Sequence, residues 1–164
     1  MMGQDWFPPK VQNPSAATSP IRNRDLAMLS QRSKYALRAM TMLAARAPGE
    51  LVLAGDIARQ RKVPRKFLEL ILLDLRKHGL LHAKRGKNGG YCLARPAKKI
   101  TFGEIVRITD GPLAPLACAS LTAYRKCDDC EDEKSCIIRK IMRSVRDASS
   151  AILDRSTLAD AVKT

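Results

Sequence analysis

Between Ser30 and Leu93 the apolar residues keep helical spacing through three segments, then switch to two short runs around a glycine-rich turn. That change of period constrains the fold more than any other feature. Ala36, Met40, Leu43, Ala44 and Ala47 follow a Ser30 cap until Pro48-Gly49 breaks the run, which predicts a first helix. A short helix over residues 54–59 carries Ile57 and Ala58 inward, residues 60–63 turn the chain, and Pro64 suits a first helical position. The third helix runs to about residue 78, with Phe67, Leu68, Ile71, Leu72 and Leu75 inward and Gly79 as its stop. Two strands then flank Arg85-Gly86-Lys87-Asn88-Gly89-Gly90, where Asn-Gly-Gly tolerates the positive φ of a tight hairpin. The expected fold is mainly α with a small β wing, a winged helix-turn-helix over residues 30–110.

Charge points to a partner. Residues 30–100 hold 17 basic and 4 acidic side chains, so they carry +13 of the net +14 of this 164-residue chain, while residues 101–164 balance at zero. A basic unit joined to a neutral one is the footprint of nucleic-acid binding. With aromatics at 4%, base-stacking platforms for single strands are scarce, so the expected partner is double-stranded DNA. Arg65 and Lys66 fall in the first turn of the third helix, within reach of base edges or of phosphate. Glu69 is placed to accept from a cytosine amino group, to orient an arginine, or simply to face solvent; Arg76 is placed for phosphate. Arg85, Lys87, Asn88, Gly89 and Gly90 form the wing tip, where bare backbone approaches a phosphate or a minor groove. His78 suits a helix C-terminus, and His82 has no nucleophile or acid near it in sequence. No catalytic triad is present in the pattern, and no enzyme is expected.

The neutral part divides into a loop and a long helix. A short helix over residues 100–108, capped by Thr101 and stopped by Asp110-Gly111-Pro112, precedes a loop over residues 111–136 without periodicity. In it Cys118, Cys127, Cys130 and Cys136 fall within 19 positions, separated by eight, two and five residues. Four thiols gathered in one loop are best explained by shared coordination of a soft metal. One Cys-x-x-Cys knuckle is too few for the usual structural zinc pattern, and uneven spacing favours an iron–sulfur cluster; zinc and a metal-free thiol switch remain alternatives. An electron-transfer iron–sulfur protein is the rival from a different class, and it leaves the basic half unexplained. The run Asp128, Asp129, Glu131, Asp132 and Glu133 reads as a solvated loop, a charge that disfavours a reduced centre, or a source of an oxygen ligand. Cys92 reads as a small apolar residue.

Residues 137–164 start with a helix whose stripe is Ile137, Ile141, Val145, Ala148 and Ile152, with Ile138, Met142 and Leu153 alongside and Arg139, Lys140, Arg143 and Arg146 on the far side. That stripe exceeds what one small domain covers, so a homodimer is expected to bury it and to set the spacing of two DNA half-sites. No run approaches the roughly 18 apolar residues of a membrane span. No membrane partner and a cytoplasmic location are therefore expected. Residues 1–29, rich in Pro, Ser, Asn and Gln, read as a disordered extension; Met28 is a candidate start, which makes the upstream residues a candidate gene-start artefact.

Tyr35-Ala36-Leu37-Arg38, Phe67-Leu68-Glu69, Leu75-Arg76-Lys77-His78-Gly79-Leu80, Arg85-Gly86-Lys87-Asn88-Gly89-Gly90-Tyr91, Ile100-Thr101 and the cysteine loop come in an order that resembles the bacterial iron–sulfur winged-helix regulators of the IscR, NsrR and RirA type. The resemblance spans residues 28–160. It implies a homodimeric transcription factor, usually a repressor, whose DNA affinity depends on a 2Fe–2S or 4Fe–4S cluster, 2Fe–2S being favoured. Such proteins sense iron, cluster supply, redox state or nitric oxide. The family's three cysteine ligands match Cys118, Cys130 and Cys136, and Cys127 is additional. Where IscR-like members place a histidine this chain has Arg139, and where NsrR-like members place a first-helix aspartate it has Lys34, so the fourth ligand is either Cys127 or an exchangeable, weak ligand of the kind a labile sensor needs. The family's DNA contacts match Glu69, Arg76 and Arg85, while its small polar recognition residue is Lys66 here.

Overall fold

The computed structural model describes residues 29–86 and 88–163; the expectations for residues 1–28 and for Lys87 lie outside them. The elements are α1 (Gln31–Ala44), α2 (Ala54–Arg61), α3 (Arg65–Lys77), β1 (Leu81–Lys84), β2 (Gly90–Leu93), α4 (Phe102–Asp110), α5 (Ile137–Arg155) and α6 (Leu158–Val162), with 3-10 turns at Ala97–Lys99 and Ala117–Ala119. This is the expected mainly α chain with a β wing.

Local chemistry sets the boundaries. The Ser30 side chain accepts from the Ser33 amide at 3.2 Å and starts α1, and Thr101 accepts from the Glu104 amide at 3.1 Å to start α4. Pro64 lies one position earlier than its fixed φ alone suggests: it is the N-cap of α3, and its carbonyl accepts from the Leu68 amide at 2.9 Å. The turn between α2 and α3 closes on Lys62, a non-glycine residue with φ of 53°.

One core joins these helices. Met40, Ile57, Leu68, Ile71, Leu72, Leu75, Leu80, Ile100 and Ile105 are all fully buried. Removing such residues from water is the dominant stabilising term, about 25 cal/mol per Å² of apolar surface. Phe67, expected inside, is half-exposed and stands edge-on to Tyr35 with ring centroids 6.0 Å apart, because its position turns toward the rim of α1 rather than into the core.

β1 and β2 pair antiparallel, with Leu81 opposite Leu93 and Lys84 opposite Gly90. A third segment joins them: Val52 and Tyr91 exchange both backbone hydrogen bonds, at 3.0 and 2.9 Å. This bridge anchors the wing to the loop between α1 and α2. It also explains Gly90, which has φ of 146° and on which a Cβ would meet the Val52 carbonyl oxygen at 2.6 Å.

The last residues return to the core. The Phe102 amide donates to the Ser156 carbonyl at 2.9 Å and the Leu158 amide to the Ile100 carbonyl at 3.0 Å, and Leu158 is fully buried. A capping box of Thr157 and Asp160 holds α6 in that position. Among the described residues no helix is long and apolar enough to cross a membrane.

Candidate DNA-binding groove and cysteine centre

α3, the N-terminal end of α2 and the wing enclose an open groove of about 560 Å³. Arg65, Glu69 and Arg76 enter it from α3 and Arg85 from the wing, so four of the residues singled out from sequence share one surface. They are spaced by four and seven positions on α3, which places all three on one helix face. Arg65 donates from Nε to Glu69 Oε1 at 2.9 Å, so of the roles open to Glu69 the one seen in the free protein is orienting a neighbouring guanidinium. Lys66 points away from the core and is exposed.

Asn88 is exposed at the wing tip, whereas Gly89 and Gly90 are buried at its base. A Cβ on Gly89 would collide with the Lys84 carbonyl oxygen, so Gly89 is required by a contact inside the wing and Gly90 by its contact with Val52. His78 caps the end of α3, with Nδ1 2.9 Å from the Asp74 carbonyl.

The cysteine loop is fastened to α5. Cys136 is the N-cap of that helix, its Sγ accepting from the Arg139 amide at 3.4 Å. Arg139 donates from Nε to the Cys118 carbonyl at 2.9 Å and lies over the Tyr124 ring, 6.0 Å from its centroid. Arg146 was expected on the solvated side of α5, but it is buried, with a guanidinium that donates to the Ala119 carbonyl and to Asp147. The loop supplies carbonyl acceptors to Arg139 and Arg146, while Lys140 and Arg143 on the same side are exposed.

All five cysteines are free thiols. Cys127 interacts with Cys118, and Cys130 with Cys136. The hydrogen bond to Cys118, reinforced by burial and by the charges of Cys118, Asp129 and Cys130, pushes the Cys127 thiol up to about 11. Burial, then the charge and hydrogen bond of Cys136, pushes Cys130 up as well. Among the described residues no three His, Cys, Asp or Glu side chains stand as one ready metal group; Cys127 interacts most strongly with Cys118, and Cys130 with Cys136. The acidic run turns outward: Asp132 accepts from the Lys134 and Ser135 amides, and Glu133 accepts from the Tyr124 hydroxyl.

The stripe Ile137, Ile141, Val145, Ala148 and Ile152 is exposed along the whole of α5 in the single chain, with Ile137 63% and Ile152 61% accessible. Val145, Met142 and Leu153 edge a cavity of about 490 Å³ shared with Leu29, Val106 and Leu113.

A chain of polar contacts joins α5 to α3. Arg107 of α4 donates to both carboxylate oxygens of Asp154, at 2.5 and 2.8 Å. Ser33 of α1 and Thr109 of α4 share a buried hydroxyl hydrogen bond of 2.5 Å, and Arg32 of α1 pairs with Asp74 of α3.

A helix-turn-helix with a basic wing and a cationic groove between them defines a DNA-binding transcriptional regulator rather than an enzyme. The chain belongs to the Rrf2 family, described as iron-dependent transcriptional regulators, which it matches over residues 29–164. It is 44% identical over 137 residues to an rrf2-like HTH-type transcriptional regulator of Rhodobacter capsulatus, covering 81% of this chain and 91% of that one. It is 35% identical over 132 residues to an HTH-type transcriptional regulator of Mycobacterium tuberculosis, covering 80% and 79%. Among solved structures it is similar to CymR, the global cysteine regulator of B. subtilis, with a TM-score of 0.67 and 30% identity over 82% of this chain and 95% of that one. It is also similar to T. potens IscR, with a TM-score of 0.65 and 29% identity over 82% and 85%.

Proposed function

We propose that the chain is a homodimeric regulator, a repressor in its usual mode, whose affinity for operator DNA is set by an iron–sulfur cluster held by Cys118, Cys130, Cys136 and Cys127. The observation that supports this reading is that the loop carrying the four cysteines is fastened to α5 at two of them, by the Cys136 cap and by the Arg139 bond to the Cys118 carbonyl. Four cysteine sulfurs are a soft donor set, and a soft cation takes them as thiolates with release of their protons. The donor set therefore fits such a group, which when bound supplies redox and ligand-exchange chemistry that responds to iron, oxidants or nitric oxide.

The chain's own residues do the rest. Arg139 and Arg146 transmit the position of the 117–119 turn to α5 through the Cys118 and Ala119 carbonyls. Asp154 and Arg107 carry it to α4, and Ser33–Thr109 and Arg32–Asp74 carry it through α1 to α3. Burial of the exposed α5 stripe between two copies fixes the separation of two recognition helices, so a small change in the loop alters the fit to two half-sites. Arg65, Arg76 and Arg85 of the groove contact DNA together with Lys66, Lys87 and Asn88, Glu69 orients Arg65, and Gly89 and Gly90 shape the wing. Such a protein works in the cytoplasm, where bacterial DNA is.

A second reading keeps the DNA-binding fold and replaces the cluster by a thiol switch. The pairing of Cys118 with Cys127 and of Cys130 with Cys136 favours it, and one similar structure is an oxidized form of Staphylococcus aureus CymR, 26% identical. Operator affinity measured before and after chelation separates the readings. The cluster reading predicts a change of at least about tenfold, which needs about 1.4 kcal/mol of differential binding; an affinity that follows thiol oxidation and ignores chelation selects the switch.

A further inference from the structure

The outermost line of α3 has a chemistry that the groove residues do not explain. Lys66, Leu70, Leu73 and Lys77 are spaced by four, three and four positions, which puts them on one line along the helix, opposite the buried Leu68, Ile71, Leu72 and Leu75. Leu70 is 60% exposed, and Leu73 borders the groove beside Glu69 and Arg76. Scattered exposed leucines need no explanation, but this one sits at the centre of a cationic surface, between a lysine one turn before it and another two turns after it.

We propose that Leu70 is a specificity-determining residue that packs against the C5-methyl group of a thymine in the major groove, with Leu73 extending the same apolar contact. The proposal deepens the DNA-binding reading and does not depend on the cysteine centre. A recognition helix seated in a major groove turns its outermost line to the base edges. Lys66 and Lys77 then meet acceptors or phosphates at the two ends, and the apolar middle meets an apolar partner. The apolar group that a duplex presents in its major groove is the thymine methyl. Leu70 has no role in the core, so its exposure is explained by that contact rather than by packing within the chain.

The test uses the full chain, purified without oxygen, and a duplex selected by that protein from a random pool. Each thymine of the selected site is replaced in turn by deoxyuridine, which removes the methyl and nothing else, and binding is measured for the wild type and for L70A. Alanine on an exposed helix face keeps the helix, which circular dichroism verifies. At one or two positions methyl removal is expected to weaken the wild type about threefold to tenfold and to leave L70A unchanged. L70A is expected to lose the same factor on the thymine duplex and nothing on the deoxyuridine duplex. Additive losses at every thymine, a selected site without thymine on the helix-facing edges, or a wild type indifferent to every methyl overturns the proposal. A change of oligomeric state in L70A also overturns it, because Leu70 then serves a protein contact. Failure to enrich any duplex contradicts DNA binding itself, which separates that failure from the loss of this one contact.

Discussion

Arg139 Nε donates to the backbone carbonyl of Cys118 at 2.9 Å, across 21 residues of sequence. The position at which the resemblance would put a metal-binding imidazole is thus taken by a guanidinium that cannot ligate and that fastens the ligand loop instead. Removing it frees the 117–119 turn while leaving all four thiols in the chain. R139A is expected to fold and to assemble the centre, but to lose iron about tenfold faster to a chelator than the wild type does. Equal loss rates show that the contact does not hold the loop.

With Arg139 committed to a carbonyl, Cys127, which interacts with Cys118, is the proposed fourth ligand. C127S is expected to reduce bound iron after anaerobic reconstitution as severely as C118S, C130S or C136S, whereas C92S leaves it intact. Full iron in C127S places the fourth ligand elsewhere.

The wing depends on a glycine that faces its own chain. G90A forces a Cβ against the Val52 backbone at a φ of 146°, so it is expected to destabilise the domain by about 2 kcal/mol or more and to weaken DNA binding. Thermal unfolding checks the first effect. An unchanged melting temperature contradicts the tight approach.

The ion pair of Arg107 and Asp154 gives a pH signature. The hydrogen bond from Arg107 holds the Asp154 carboxyl below the usual carboxylate range, and the same bond raises Arg107. A depressed folded-state pKa means the pair's stabilisation is present above about pH 4 and is lost as pH falls through the lower folded value. The pair is partly exposed and screened, so its contribution is about 0.5 kcal/mol. D154N is expected to be less stable than the wild type at pH 7 and to converge with it as the pH falls through the lowered folded-state value of the carboxyl. A constant difference across that range assigns the effect to packing.

Much of this architecture was legible because its signals are local. The Ser30 and Thr101 caps, the Pro48-Gly49 break, the 3.6-residue period of α3 and the glycine-rich turn each act within a few residues. Long-range pairings left no such trace. Val52 is a single residue that completes the wing through hydrogen bonds with Tyr91, and Leu158 is the one buried residue of a five-residue helix, so neither makes a period. Arg146 illustrates the opposite failure, since helical phase alone put it in solvent, while the Ala119 carbonyl, 27 residues away, makes its burial favourable. In the candidate site, residue types and spacing identified the groove and the four thiols. Their grouping as Cys118 with Cys127 and Cys130 with Cys136 required the fold.

The proposed iron–sulfur cluster on the four thiols is tested by the iron and sulfide content of anaerobically purified protein, recorded with its visible spectrum. Near-equal iron and sulfide with charge-transfer bands are expected, both lost when the four cysteines are replaced by serine. A colourless protein that holds zinc, or no metal and titratable thiols, contradicts the proposal.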